Sequence, residues 1–524
     1  MIYFLWLSTC LWQILVWSYW IQVKEYQFDR FWSFIKTSDG RGKVYLSLVI
    51  VKLFLLMTPL FSHIFYLLLT FGLIVEDVVF IVNSQASGFR KPVFTKRILT
   101  ILGISSISFL LPLFVPIYTG ILLGELSLVL LVIIGILYTQ LLVNRTREKE
   151  KAAAIEKLQK IKPFVIAITG SYGKTTTKDF ISHLLSQKYK TQKTQNNENT
   201  YFGVVRTINN KLENDTKYFV TEIGAYRKGE VKELSDVVKP KIAVITGIEP
   251  QHVDLFGSME NLKSAKFEIV GGLNNSGVAI FNLGDKECEE LYEKSLLKYP
   301  NVKSFGYKVF NKRDKSFSNF RLYSVVEQMD IDKVVFTTVE KDSDTKKTFK
   351  FNTTGAHFVE NVTCAILVSR ILGLTWDEIE KGVKSLILPK GTMSVKTTRS
   401  GAVIIDDSYN SSPKSFNAAI DYLSLFKNRR KIIFSGGIIE LGSMSKNIHR
   451  DLGIKMNDIA DKIIFTNKDS AKDVSLGMGN RNKLSYVANI NILKQLLQKH
   501  VEDGYVILLE GRQPGNIMEV VKNL

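Results

Sequence analysis

Cysteine is scarce in this chain of 524 residues: only Cys10, Cys288 and Cys364 occur, and no two of them form a CxxC pair. That scarcity argues against a disulfide framework and a cysteine-built zinc site, and it fits a reducing compartment. A cleavable signal peptide is not expected, because the N-terminus has no basic leading region and no small-residue cleavage site. Acidic residues are in deficit, 50 Asp and Glu against 69 Lys and Arg, for a formal charge of +19. An excess of this sign suits nucleic acid, anionic lipid or anionic small substrates. Much of it flanks apolar segments, so a lipid bilayer is the expected partner and nucleic acid is not. The length allows about two to four domains.

Apolar length is abundant at the N-terminus. Five runs, at about 2–23, 44–62, 64–83, 98–118 and 120–143, approach the roughly 20 residues that cross a bilayer. Trp6, Trp12, Trp17 and Trp20 in the first suit an interfacial role. Basic residues collect between runs one and two (Lys24, Arg30, Lys36, Arg41, Lys43), between three and four (Arg90, Lys91, Lys96, Arg97) and after the fifth (Arg145, Arg147, Lys149, Lys151). The other two connections, at Ser62-His63 and Thr119-Gly120, carry no Lys or Arg. The positive-inside rule then predicts a multi-pass protein of the cytoplasmic (inner) membrane, with the N-terminus outside and the chain beyond 144 facing the cytoplasm. The alternative is a very apolar soluble domain. Lys52, Glu76 and Asp77 fall inside the runs, as functional charges, as partners of one another, or because the helix ends before Glu76. Residues 144–163 read as a charged helical linker.

Beyond it stands "VIAITGSYGKTTTKDF", Val165 to Phe180. An apolar β-rich run leads into a glycine-bearing turn and then into helical spacing. Gly170 and Gly173 let the backbone of Ser171 and Tyr172 turn its amides toward phosphate oxygens, and the helix N-terminus adds a positive dipole. In this pattern Lys174 reaches the β/γ-phosphates of ATP, and the hydroxyl of Thr175, followed by Thr176, is placed for Mg²⁺. The general pattern GxxxxGK[ST] would need glycine at 168, where Ile168 stands. The chain has TGxxGKTT instead.

That variant resembles the Mur ligases, most of all the MurF branch. The likeness runs on in order through "TQNNENTYFG" (Thr194, Asn197, Asn199, Gly203), "TEIGAYRKGEVKEL", "VITGIEPQHVDLFGSMENLKSAKFEI" (His252, Gly257, Glu260, Lys266, Glu268), "GAHFVEN" (His357, Asn361) and "IIDDSYNSSPKSFNAAI", then "GGIIELG" and "HRDLG". Together with the apolar runs, which predict an α-helical transmembrane bundle (1–143) and the linker, it implies two α/β domains after them. These are a central P-loop ATPase domain (164–387) and a Rossmann-like C-terminal domain (388–524), where apolar strands alternate with helices. It implies an ATP-dependent amide ligase of cell-wall precursor synthesis, acting through an acyl phosphate. Glu222 would meet the Mg²⁺ held by Thr175, His252 would help hold a second cation, and Lys266 would do so if carbamylated. Lys174, Glu222, His252 and Lys266 form the implied catalytic set. Asn282, Asp285, Asn361 and Asp407 would lie by the nucleotide, and Asn197, Asn199 and Asn410 by the substrates. The partners implied are a peptidoglycan-type carboxylate acceptor, soluble or lipid-linked, and an amino acid or D-alanyl-D-alanine.

Three departures accompany the likeness. The family's N-terminal UDP-sugar-binding domain is replaced by the apolar segment. Thr392 stands where the family usually has arginine, with Arg399 a candidate substitute. Glu510-Gly511-Arg512 stands where the family usually has Lys-Gly-Ser. Two competing readings are a poly-γ-glutamate-type ligase, for which the "DDSYNxxP" stretch is unexpected, and a P-loop ATPase coupled to a membrane bundle without ligase activity.

Overall fold

The computed structural model describes residues 1–24, 26–36, 41, 44, 49–50, 52, 65–87, 91–195, 198–250, 253–274, 276–311, 320–389, 392–408 and 411–523. The chain divides into two compact units, Met1–Lys149 and Glu150–Leu524.

The first unit is helical. Helices Ile2–Val23, Phe65–Ser87 and Lys96–Ser105 bury Trp6, Ile14, Leu69, Leu73 and Ile98, together with Leu128 of the long helix Ile117–Ile161. Lys52 lies in this core, 3.2 Å from Glu125 and 3.6 Å from Glu76, and Ser8 donates to Asp77 at 3.1 Å. The charges inside the apolar runs therefore pair with polar groups of the same unit. Of the five expected spans, most of 44–62 lies outside the described residues. Among the described residues three helices are long and apolar enough to cross a membrane: Ile2–Val23, Lys96–Leu113 and Thr119–Ile161. The run at 98–118 passes from α-helix to 3-10 helix at Ser106 and ends at Leu113, and the next helix begins at Ile117. The expected linker 144–163 is not a separate element, because the helix beginning at Ile117 runs unbroken to Ile161.

The second unit holds two sheets. The larger has the strand order β2-β3-β1-β4-β5-β6-β7-β8-β9. Its parallel strands are β2 (Thr191–Lys193), β3 (Tyr218–Glu222), β1 (Phe164–Thr169), β4 (Ile242–Ile245), β5 (Gly277–Asn282) and β6 (Val302–Asn311). β7 (Leu322–Met329) continues parallel to β6, and β8 (Val334–Glu340) and β9 (Thr345–Phe351) close the sheet as an antiparallel meander. The central strands are almost wholly apolar because helices cover both faces. The helix that follows β1, Lys174–Leu185, buries Phe180, Ile181 and Leu184 beside the helix Phe358–Ile371.

The smaller sheet has the order β10-β11-β15-β12-β13-β14. β10 (Ser394–Thr397) is antiparallel to β11 (Val403–Asp407); β15 (Val506–Glu510), β12 (Lys431–Ser435), β13 (Lys462–Phe465) and β14 (Leu484–Tyr486) are parallel. β11, β12, β13 and β15 fall within the apolar runs "GAVIIDDS", "KIIFSGG", "DKIIFT" and "YVILLEG". After β11 the chain enters the helix Pro413–Ser424, where Ser412 caps the first turn and proline occupies its start. The C-terminal end of β11 and this helix start face the phosphate-loop turn after β1, and the two sheets share one cavity there.

Candidate active site

The cavity, of about 130 Å³, is lined by Ser171 to Thr176, His357 to Asn361 except Val359, Thr392, Asp407, Ser412, Lys414 and Ser415. Its floor is the turn between β1 and Lys174–Leu185. Gly170 and Gly173 have φ of 147° and 73°, and a Cβ at either would collide with Thr246 or Asn361 respectively. Glycine is therefore required at both corners. Asn361 donates from Nδ2 to the Gly173 carbonyl at 3.2 Å and to Thr177 Oγ1 at 2.9 Å, which fixes the loop against the opposite helix. Lys174 donates to the Ser171 carbonyl at 3.1 Å. Burial lowers the pKa of its ammonium, and Glu222 opposes that.

One hydrogen-bonded set converges on Glu222, at the C-terminal end of β3. Thr175 Oγ1 donates to one carboxylate oxygen at 2.7 Å, and Asn199 Nδ2 donates to the other at 2.7 Å. The backbone N–H of Glu222 donates to Thr194 Oγ1 at 3.2 Å. The carboxylate is 1 % exposed, so its orientation is set by these partners. Register explains the meeting: β3 pairs with β1 up to Ile168↔Glu222, which brings Glu222 level with the phosphate-loop turn. Lys266, on the helix Met259–Gly271, is buried and donates to the Ala225 carbonyl at 3.4 Å. Burial, and then the charge of Lys174, push its ammonium down to about 7.

The far wall is polar. Asn282, the last residue of β5, donates to the Thr246 carbonyl at 3.0 Å and to Glu360 at 3.1 Å. Tyr172 donates to Asp285 at 3.0 Å, and Asp285 also caps the helix Lys286–Lys298. His357 packs against Phe358, and burial followed by the Lys414 charge pushes its imidazole down to about 3, so it is neutral at pH 7. Asp407 accepts the Met393 N–H at 3.0 Å and pairs in register with Glu510 of β15, which takes a 2.6 Å hydrogen bond from Ser411. Burial pushes Asp407 up to about 7 and Glu510 well above the carboxylate range. At Glu510 the charge of Asp407 adds to the effect of burial.

Of the residues expected at the site, Ser171, Tyr172, Gly173, Lys174, Thr175, Thr176, Asn361 and Asp407 line the cavity. Gly170, Glu222, Asn199, Asn282 and Lys266 stand directly behind that lining. Asn197, His252 and Asn410 lie outside the described residues. Arg399 is exposed beyond β10 and does not line the cavity, so it does not replace the arginine missing at Thr392. Lys414 and Glu360 are site residues that the sequence reading passed over. Their signal was weak: Lys414 follows the proline of "SSPKSF" and reads as an ordinary helix-surface lysine.

Comparison with known proteins agrees with this geometry. The Mur ligase middle domain matches residues 168–369, and the glutamate ligase domain of Mur ligases matches 393–513. The chain is 30% identical over 388 residues to the UDP-N-acetylmuramoyl-tripeptide--D-alanyl-D-alanine ligase of Bacillus subtilis, covering 73% of this chain and 80% of that one. It is 28% identical to the ligase of the same name from Rickettsia prowazekii, covering 73% and 82%. MurF from Acinetobacter baumannii superposes with a TM-score of 0.62 at 26% identity, covering 72% of this chain and 80% of that one. MurF from Thermotoga maritima in complex with ADP gives 0.60 at 25%, covering 72% and 82%.

These relatives correct one expectation. The apolar runs and their basic loops predict a multi-pass protein of the inner membrane, and the UDP-N-acetylmuramoyl-tripeptide--D-alanyl-D-alanine ligases that the chain matches give that expectation no support. Length and hydropathy report only that a helix could cross a bilayer. The reading as an ATPase without ligase activity is also set aside, because both ligase domains are matched and their residues build one cavity. The chain belongs to the Mur ligase family, enzymes that form amide bonds at the expense of ATP.

Proposed function

We propose that the chain joins the carboxylate of UDP-N-acetylmuramoyl-tripeptide to the amine of D-alanyl-D-alanine, the substrates named for its relatives. In this reading residues 164–387 form the central ATP-binding domain and 388–524 the C-terminal domain, preceded by an apolar helical part (1–143) and the charged stretch 144–163. The observation that carries the reading is the Thr175–Glu222–Asn199 set beside Lys174 and a buried, readily deprotonated Lys266.

The acceptor carboxylate attacks the γ-phosphorus of ATP, ADP leaves, and an acyl phosphate remains. The amine then attacks the acyl carbon and inorganic phosphate departs. Phosphoryl transfer of this kind needs positioning and charge neutralisation above all. The loop amides after Gly170 hold the phosphates, and Lys174 balances the charge that develops on them. The Thr175 hydroxyl and the Glu222 carboxylate, 2.7 Å apart, suit Mg²⁺, which takes few protein oxygens alongside those of phosphate. When bound, Mg²⁺ would neutralise phosphate charge. Lys266 has the free amine that carbamylation requires, and a carbamate there would add a second oxygen donor near Glu222. His252 and Asn410 keep the roles that the family likeness implies. Asp407 and the helix start at Ser412 bring the C-terminal domain over the pocket, which would keep water from the acyl phosphate.

Purified protein with ATP, Mg²⁺, UDP-N-acetylmuramoyl-tripeptide and D-alanyl-D-alanine is expected to yield the pentapeptide by mass. Lys174→Ala is expected to abolish it while the protein remains folded. ATP consumption without any conjugate would sink the reading.

A further inference from the structure

Lys414 occupies the first turn of the helix Pro413–Ser424, where the helix dipole is positive and a lysine is disfavoured. Something opposite must hold it there. Its Nζ donates to both oxygens of Glu360, at 2.9 and 2.8 Å, and to Tyr172 Oη at 2.9 Å, and it lies 4.6 Å from the centre of the Tyr172 ring. Its backbone N–H donates to Glu249 at 3.2 Å. The two partners of Nζ belong to the other domain. Tyr172 is part of the phosphate-loop turn, and Glu360 precedes the Asn361 that grips Gly173. Glu360 also accepts from Asn282, and the Tyr172 hydroxyl donates to Asp285. The ammonium is thus the link in a chain that runs Asn282–Glu360–Lys414–Tyr172–Asp285 along one wall of the cavity. Without it, Glu360 would present an uncompensated carboxylate to a polyphosphate.

We propose that Lys414 is a positioning residue for the nucleotide, supplied by the C-terminal domain: it neutralises Glu360 and holds Tyr172, so that the phosphate loop is set for ATP only when the two domains meet. This rests on the reading of the cavity as the ATP site and adds how that site senses domain closure. Nothing in it requires Lys414 to touch the reacting atoms.

The test measures the KM for ATP and kcat of amide formation in Lys414→Met, Lys414→Arg and Lys414→Met/Glu360→Gln, with Lys174→Ala as a separate control and thermal melting to confirm folding. Lys414→Met is expected to raise the KM for ATP about tenfold with kcat within about twofold, because the carboxylate it exposes repels the polyphosphate. Removing that carboxylate in the double variant is expected to recover most of the loss, and arginine, which keeps the charge, should stay near the wild type. A merely structural role would give no rescue by Glu360→Gln. If Lys174→Ala is inactive while Lys414→Met keeps the wild-type KM, or if the double variant is no better than the single, the proposal is overturned and the ATP site stands. If Lys174→Ala remains active, the site reading itself fails.

Discussion

Lys266 is a residue whose chemistry departs far from its type. Its ammonium titrates near 7 in the folded chain, against an ordinary value of 10.5. Between those values the unfolded chain holds more protons than the folded one, so stability rises with pH across about 7 to 10.5 and the cost of the buried charge is fully present below 7. The melting temperature of the wild type, in buffer freed of carbon dioxide, should therefore gain on that of Lys266→Met as pH climbs through this window. A constant difference would contradict the placement. In ¹³C-bicarbonate a carbamate carbon signal is expected from the wild type and not from Lys266→Met. The sequence marked this lysine only through its place in a family motif. A lysine in "NLKSAKFEI" reads by itself as a solvated helix residue, and its buried setting includes the Ala225 carbonyl, which is distant in sequence. Lys414 shows the opposite case: its role comes from two side chains of another domain, and no local pattern points to it.

Among the elements, the turn after β1 was the most legible. Its glycines, lysine and hydroxyl act through local backbone geometry, so their order along the chain carries their function. The strands of the second sheet were legible for a similar reason, as short apolar runs between polar turns. The carboxyl pair across β11 and β15 was not, because it arises from register between strands about a hundred residues apart. Asp407 and Glu510 both titrate above their unfolded values. The folded chain then holds more protons than the unfolded one from about pH 4 to 7, and stability falls as pH rises through that window. Glu510→Gln removes one of the two acids while keeping the hydrogen-bonding shape. Its melting temperature should rise relative to the wild type as pH goes from about 4 to 7, with little difference at the acid end. A difference independent of pH would contradict the raised titration of this pair.

At the scale of the whole molecule, the α/β part was readable in class and order, because both ligase domains carry motifs along their length. The N-terminal part was misread in its consequence. Its apolar helices exist, but length and hydropathy report only that a helix could cross a bilayer. The buried Lys52–Glu125 pair, again a contact between distant segments, was equally invisible in one dimension. The central claim concerns the joined domains: that they activate a carboxylate as an acyl phosphate. It is tested most directly by supplying UDP-N-acetylmuramoyl-tripeptide labelled with ¹⁸O in its terminal carboxylate, together with ATP and D-alanyl-D-alanine, and weighing the products. One ¹⁸O in the inorganic phosphate for each amide formed is the expected result; unlabelled phosphate would contradict the account.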